Sequence, residues 1–213
     1  MYASDIKEHK ERLVFQVSGK LWQRSLIMRD LQTGSLWSHL LGECMEGPLK
    51  GSSLTPIPAV VTSWKDWKKS HPETTVLSLK RSAKIFNTDV YRNPEAYLIG
   101  INYLKTVKAW PYDFLIKNPV HQDQLESEKI VVVFLDDSAT GFIFKRKVGN
   151  ELVDFLRKLK DGNLVSLDGT LWDPWQAKAI SGPGKGKILE RLHVIPSYRK
   201  AWLSFHPKSL IAQ

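Results

Sequence analysis

The sequence predicts an α+β fold, predominantly β, in which two pseudo-symmetric halves, each a β-hairpin followed by a short helix, form one domain. Three observations carry that expectation. Apolar and polar residues alternate in short runs separated by turn-forming residues, the sequence repeats itself at a fixed offset, and two aromatic segments end in the same His-Pro pair.

The repeat is read by sliding the chain against itself by 135 residues, which sets Gly34, Leu36 and Trp37 on Gly169, Leu171 and Trp172. The register holds without a gap through Gly47-Pro48 on Gly182-Pro183, Lys50-Gly51 on Lys185-Gly186, Leu54 on Leu189, Trp67 on Trp202, and His71-Pro72 on His206-Pro207. Twelve identities over the 39 positions 34–72 imply an internal duplication. Two copies are too few for a solenoid, so residues 1–213 are expected to form a single domain, with repeat 1 over about 1–80, a connector over about 81–128 and repeat 2 over about 129–213. Residues 135 apart should then share matching environments.

Taken in order, "RLVFQVSG" and "SLIMRD" alternate as a β-hairpin, and "DLQTGS" turns the chain into "LWSHL". The expected counterpart is "IVVVFLDDSATGFIFKR", two strands around a polar turn, followed by a short pair around "SLDGT". Each half then passes through a glycine-bounded loop, "GPLKG" or "GPGKG", into a short helix. Thr62 and Ser197 stand where an N-cap hydroxyl would satisfy a free N–H of the first turn, which predicts helices over 62–70 and 197–205. Trp64, Trp67 and His71 fall at i, i+3 and i+7, a face to bury. His71 and His206 precede proline, which disfavours the α region and stops each helix. Between the halves, "AYLIGINYLKTVKAWP" predicts another hairpin and "PYDFLIKNP" a short helix, with the polar stretch 80–95 as a surface excursion.

Composition narrows the function classes. A 213-residue chain with 42% hydrophobic residues can build a core without staples. No apolar run approaches the roughly 18 residues that span a bilayer, and the charged start "MYASDIKEHKERLVF" lacks a secretory leader. The sequence as written therefore reads as cytoplasmic, or as periplasmic or extracellular if a signal lies upstream. The one cysteine, Cys44, makes no intrachain disulfide and no multi-cysteine zinc site, and reads as a small buried residue. The net charge of +9 is dispersed over Lys65, Lys68 and Lys69, Lys80, Arg81 and Lys84, Lys145 to Lys147, and Lys185 and Lys187, which gives no strong nucleic-acid or membrane signal. Partners stay unknown, and no cofactor or metal is expected.

Chemical motifs are few. "SGPGKGK" has Ser181 where a Walker A loop needs glycine and Ile188 where it needs Ser or Thr after the lysine. Its twin fits no better, so a rigid turn explains both. The histidines, His9, His39, His71, His121, His193 and His206, include no i, i+4 pair. Asp136-Asp137 sits at a predicted turn, where acceptor side chains support local backbone. His121 and Asp123, in "NPVHQD", fall between predicted elements and form a secondary candidate pair.

The stretch "LVFQVSGKLWQRSLIMRDLQTGSLWSHLLGECMEGPLKGSSLTPIP" with "W..W...HPETTVL", together with the later "AYLIGINYLKTVKAWPYDFL", "VVVFLDDSATGFIF" and "GTLWDP......SGP.KGK.L", resembles the domain-of-unknown-function 3179 family of bacteria and archaea across nearly the whole chain. The resemblance implies no established activity. It implies an N-terminal strand bearing cysteine, or selenocysteine in some members, and it implies that many relatives are exported. This sequence lacks that strand, so Met1 is expected not to be the biological start. The repeat sets "MYAS" against 143–146, leaving the first half to begin inside its hairpin, with roughly a dozen residues expected upstream.

Two functions follow as expectations, and whether the chain is an enzyme stays open. One is the C-terminal bulk of a thiol or selenol redox protein, its reactive residue upstream of Met1 and lined by Asp30, Thr33, Ser35, Trp37 and His39, since a chalcogen needs hydroxyl donors and a base nearby. The other is a non-catalytic binding or interaction module with a basic surface.

Overall fold

The computed structural model describes residues 1–6, 10–23, 25–76 and 92–213. His9, Lys80, Arg81, Lys84 and most of the stretch 80–95 lie outside the described residues. The fold is α+β and mostly β, as expected, with three short helices among the described residues: α1 (Trp64–Ser70), α2 (Tyr112–Lys117) and α3 (Arg199–Phe205). None is long and apolar enough to cross a membrane. The chain forms two compact units, Met1–Ala59 with Lys200–Pro207, and Val60–Arg199 with Lys208–Gln213. The first unit therefore holds most of α3, and the second holds α1.

In the first unit, β1 (Phe15–Trp22), β2 (Ser25–Asp30), β3 (Leu36–Ser38) and β4 (Cys44–Glu46) make an antiparallel meander in that order. Register sets Trp37 between Met28 and Cys44, and its ring closes a small core with Ile6, Leu13, Cys44 and Leu54. The expected strand at "MYAS" is reduced to one bridge between Tyr2 and Pro56, with the Tyr2 hydroxyl donating to the Leu40 carbonyl at 2.7 Å. On the helical side Trp202 is fully buried, and Trp22 meets Phe205 edge-on at 4.8 Å.

The second unit contains three larger sheets besides a two-stranded ribbon of β10 (Lys147–Val148) and β11 (Glu151–Leu152). One is a meander of β12 (Phe155–Lys158), β13 (Leu164–Ser166), β14 (Leu171–Asp173) and β15 (Lys178–Ser181). A second joins β16 (Ile195–Tyr198), β5 (Tyr97–Tyr103), β6 (Thr106–Pro111) and β17 (Leu210–Ile211), and a third joins β7 (Val120–Leu125), β8 (Glu128–Leu135) and β9 (Thr140–Lys145). Strand side chains alternate between faces, so β8, written "EKIVVVFL", is buried on both. Ile130, Val132 and Phe134 enter a core with Trp110, Leu115 and Ile143. Val131, Val133 and Leu135 enter another with Phe142, Phe144, Trp172 and Ala179.

By strand order and spacing the counterpart of β1–β2 is β12–β13, not the β8–β9 hairpin. The periodicity of "IVVVFL" misled because a strand buried on both faces has no polar phase to align. The loops match closely. Lys50 N–H reaches the Gly47 carbonyl and Lys185 N–H the Gly182 carbonyl, both at 3.1 Å; Leu54 N–H reaches Gly42 and Leu189 N–H reaches Ala177, both at 2.8 Å. Gly47 and Gly182 adopt φ of +101° and +87°, and a Cβ at either would lie 2.8 Å from the Cα of Ser35 or Thr170. Only glycine fits there.

The helix ends are also alike, while their starts differ from expectation. His71 N–H bonds the Trp67 carbonyl and His206 N–H the Trp202 carbonyl, both at 2.8 Å. The imidazole then lies against the indole one turn back, at 3.9 Å between ring centroids in α1 and 4.4 Å in α3. The N-cap of α1 is Ser63 rather than Thr62: its Oγ accepts the Asp66 N–H at 3.1 Å and donates to the Asp66 carboxylate at 2.6 Å, a reciprocal cap. Ser197 caps nothing, because its backbone pairs with Leu98 in β16. Nor is the aromatic face of α1 buried. Trp64 is 48% exposed and no residue of α1 is fully buried, Trp67 being half covered by His71 and bonded through Nε1 to Thr74.

Replacing Trp202 by alanine is expected to lower the unfolding free energy by about 3–5 kcal/mol, the range for a large ring removed from a core. Trp67→Ala should cost distinctly less. Equal shifts in the two denaturant midpoints would contradict the difference in burial.

Candidate functional site

The residues expected to flank a reactive chalcogen do come together, apart from one. Asp30 ends β2 with its carboxylate fully buried, where Trp37 Nε1 donates to Oδ2 at 2.8 Å and the Thr33 amide to Oδ1 at 2.6 Å. The Thr33 hydroxyl donates to the same carboxylate and lies 2.6 Å from Ser35 Oγ. Burial alone would raise the Asp30 pKa, but the bonds from Trp37, Thr33 and the Gly34 amide more than offset it and hold the carboxyl below its ordinary range. His39 stands exposed in the turn after β3 and takes no part in this network. Cys44 is buried beside Trp37, its thiol pushed up by burial and donating weakly to the Glu46 carbonyl at 3.4 Å.

The second unit builds the same knot with the roles exchanged. Trp172 Nε1 donates to Ser166 Oγ at 2.9 Å, and Ser166 and Thr170 both donate to Asp168. The carboxylate has moved from the first turn residue to the third. Ser35 Oγ takes the Leu49 amide at 3.2 Å, and Thr170 Oγ1 takes the Gly184 amide at 2.8 Å, again 135 residues apart. In both units the network bonds a buried indole and an amide of the glycine loop.

The secondary pair is structural as well. His121 and Asp123 lie inside β7 rather than in a loop, since "VHQDQL" pairs residue for residue with β8. Asp123 receives Lys108 Nζ at 2.6 Å, Trp110 Nε1 at 2.9 Å and its neighbour's amide at 2.7 Å, and His121 Nε2 is 3.3 Å away. Burial would raise its pKa; the bonds from His121, Lys108, Gln124 and Trp110 hold it far below the ordinary range. Among the described residues no group of three or more His, Cys, Asp or Glu is placed to hold a metal.

A different place, which sequence reading passed over, has the shape of a site. A cavity of about 350 Å³ in the second unit is walled by Tyr97, Tyr112 and Tyr198, with Thr62, Ser63, Ser138 and Ser197 contributing hydroxyl-bearing residues. Tyr97 opens β5 directly across from Tyr198 at the end of β16, which stacks their rings at 4.7 Å and 36°; Tyr112 lies 6.1 Å from Tyr97 at 25°. Opposite them, the turn after β8 is held by a left-handed Ala139 (φ 50°, ψ 38°), a conformation costly for any residue with a Cβ. That turn carries a hydroxyl chain: Thr140 Oγ1 donates to Thr62 Oγ1 at 2.8 Å, and Ser138 Oγ lies 2.7 Å from Thr140 Oγ1. The Thr140 hydroxyl also has the Ser138 carbonyl within reach as an acceptor, at 3.3 Å.

The same turn borders a second, polar cleft of about 410 Å³ through Asp136 and Asp137, together with Lys158, Lys160, Asp173 and the C-terminal part of α1. Its charges are largely spent locally. Lys158 pairs with Asp136 at 2.5 Å, Asp161 holds Asn163, and Asp173 caps the turn at Trp175. One sequence signal could have pointed to the tyrosine cavity instead: 61–63 and 196–198, both on its wall, lie 135 residues apart.

The chain belongs to the family described as "Protein of unknown function (DUF3179)", whose model matches residues 1–96 and 83–213. Among curated proteins and among solved structures nothing matches it.

The Asp123 cluster sets an acid response. Its carboxyl gives up its proton more readily folded than unfolded, so its contribution is complete near neutrality and is lost as pH falls below about 4, the ordinary aspartate range. Asp123→Asn should be less stable at pH 7 and should lose less of its remaining stability on acidification than the parent. Parallel stability curves for the two proteins between pH 7 and pH 2 would contradict the assignment.

Proposed function

We propose that this chain is a non-catalytic binding module whose ligand seats in the tyrosine-walled cavity. The observation that carries the reading is the convergence of three aromatic rings and four hydroxyl-bearing residues from five separate segments on one concavity, within the size range of small-molecule sites. Recurrence of hydrogen bonds at an offset of 135 supports an internal duplication, in which the paired segments 61–63 and 196–198 line the cavity together.

The redox reading is the weaker of the two on this chain. It places a reactive thiol or selenol upstream of Met1, beside Asp30, and Cys44 is no substitute for it, being buried and pushed up in pKa. The carboxylate and hydroxyls meant to serve it are engaged by Trp37 and by one another.

A ligand-observed NMR screen of a chemically mixed fragment library tests the proposal. Hits should compete with one another and disappear in Tyr198→Ala, while Cys44 in the native protein should react with a disulfide reagent far more slowly than after unfolding. Hits that survive Tyr198→Ala, or rapid native labelling of Cys44, would contradict it.

A further inference from the structure

Resting on the cavity reading above, we infer that the ligand is a neutral polyhydroxylated ring, a pyranose of the saccharide class, stacked on the tyrosine wall. The first argument is the charge of the lining. Among the described residues no Lys, Arg, Asp or Glu lines this cavity. Asp66 and Asp136, on bordering elements, line the polar cleft instead, where Asp136 pairs with Lys158. A ligand of either net charge would leave water for this cavity without a counter-charge, which is unfavourable. The ligand must be neutral.

The second argument is the kind of polar group present. The lining offers hydroxyls rather than carboxylates; Ser63 and Ser197 spend their protons on the Asp66 carboxylate and the Tyr198 carbonyl and present oxygens that accept. Ser138, Thr140 and Thr62 form one hydroxyl chain whose two ends, Ser138 and Thr62, both line the cavity. A partner that both donates and accepts at neighbouring positions satisfies this. Vicinal ring hydroxyls do so.

The third argument separates a flat ligand from a cation. Aromatic cages for quaternary ammonium groups surround the charge with rings at steep mutual angles. Here the angles are 25° between Tyr97 and Tyr112 and 36° between Tyr97 and Tyr198, a shallow tiled wall rather than a box. Tyr198 is 52% exposed, so one of its surfaces is open to stack on the C–H face of a sugar ring. Tyr112, 4% exposed, supports the wall from behind.

The test is calorimetry and ligand-observed NMR on the full chain with methyl glucopyranoside, methyl galactopyranoside, methyl mannopyranoside and cellobiose. Glucuronate, glucosamine, inorganic phosphate and tetramethylammonium serve as charged counter-probes. At least one neutral saccharide should saturate, and its affinity should fall about tenfold or more in Tyr198→Leu, which keeps an apolar strand residue, and in Thr62→Val, which keeps the shape and removes the hydroxyl. Circular dichroism establishes that both variants fold. Saturation by a charged probe at the tyrosines with no neutral saccharide bound would overturn the ligand class and leave the binding module standing. Saturation by a saccharide that both variants bind undiminished would overturn the site. Absence of binding by every probe in either class would overturn the saccharide inference, and if the fragment screen also finds nothing at Tyr198, the module reading falls with it.

Discussion

The second unit depends on one strand that must be buried on both faces. From Ile130 to Leu135, β8 has no side chain that tolerates water, so the chain has to supply cover on both sides. Trp110, Leu115 and Ile143 provide it on one side; Phe142, Phe144, Trp172 and Ala179 provide it on the other. Six fully or nearly buried side chains in sequence are worth on the order of 10 kcal/mol of transfer free energy, comparable to the net stability of a whole domain. Everything at the end of β8 inherits that rigidity. The tight turn at Asp136–Ser138, the left-handed Ala139 and the hydroxyl chain through Thr140 are held by a strand that cannot shift register without exposing its apolar faces.

A second constraint acts locally and twice. A glycine loop is pinned against a turn by an amide bonded to a Ser or Thr hydroxyl, and the neighbouring indole is pinned by an acceptor in the same turn. The exchange of Asp30 for Ser166, and of Thr33 for Asp168, shows what the physics requires. One carboxylate and two hydroxyls must be present to satisfy the buried Trp N–H and the turn amides, and either end of the turn can supply the acid. Local backbone and indole hydrogen bonding is thus one reason for acidic and hydroxyl residues to gather at such turns.

Much of the fold was legible because local patterns decide it. The hairpins at 97–111 and 164–173 follow from alternation and turn residues, and His71 and His206 end their helices as the residue before proline should. Other features were decided by partners distant in sequence. Ser197 reads as a cap until Leu98 claims its backbone for a sheet, and Trp64 reads as core although it stands half exposed. The Asp30 cluster was found because its members are close in sequence, and for the same reason it is explained by local backbone needs. The tyrosine cavity was hard to read, since its lining comes from 61–63, 97, 112, 138–139 and 196–198, and the 135-residue offset connects only the first and last of those segments.

The central claim is that a neutral ring rests on the tyrosine wall, and the tyrosines can report it themselves. Fluorine NMR of the chain labelled with 3-fluorotyrosine, assigned by single Tyr→Phe variants and titrated with the neutral saccharide series, gives the most direct reading. The Tyr97 and Tyr198 resonances should move together and saturate along one isotherm while those of Tyr2 and Tyr103 stay fixed. Resonances that all remain still, or that drift together at Tyr2 and Tyr103 as at Tyr198, would contradict it.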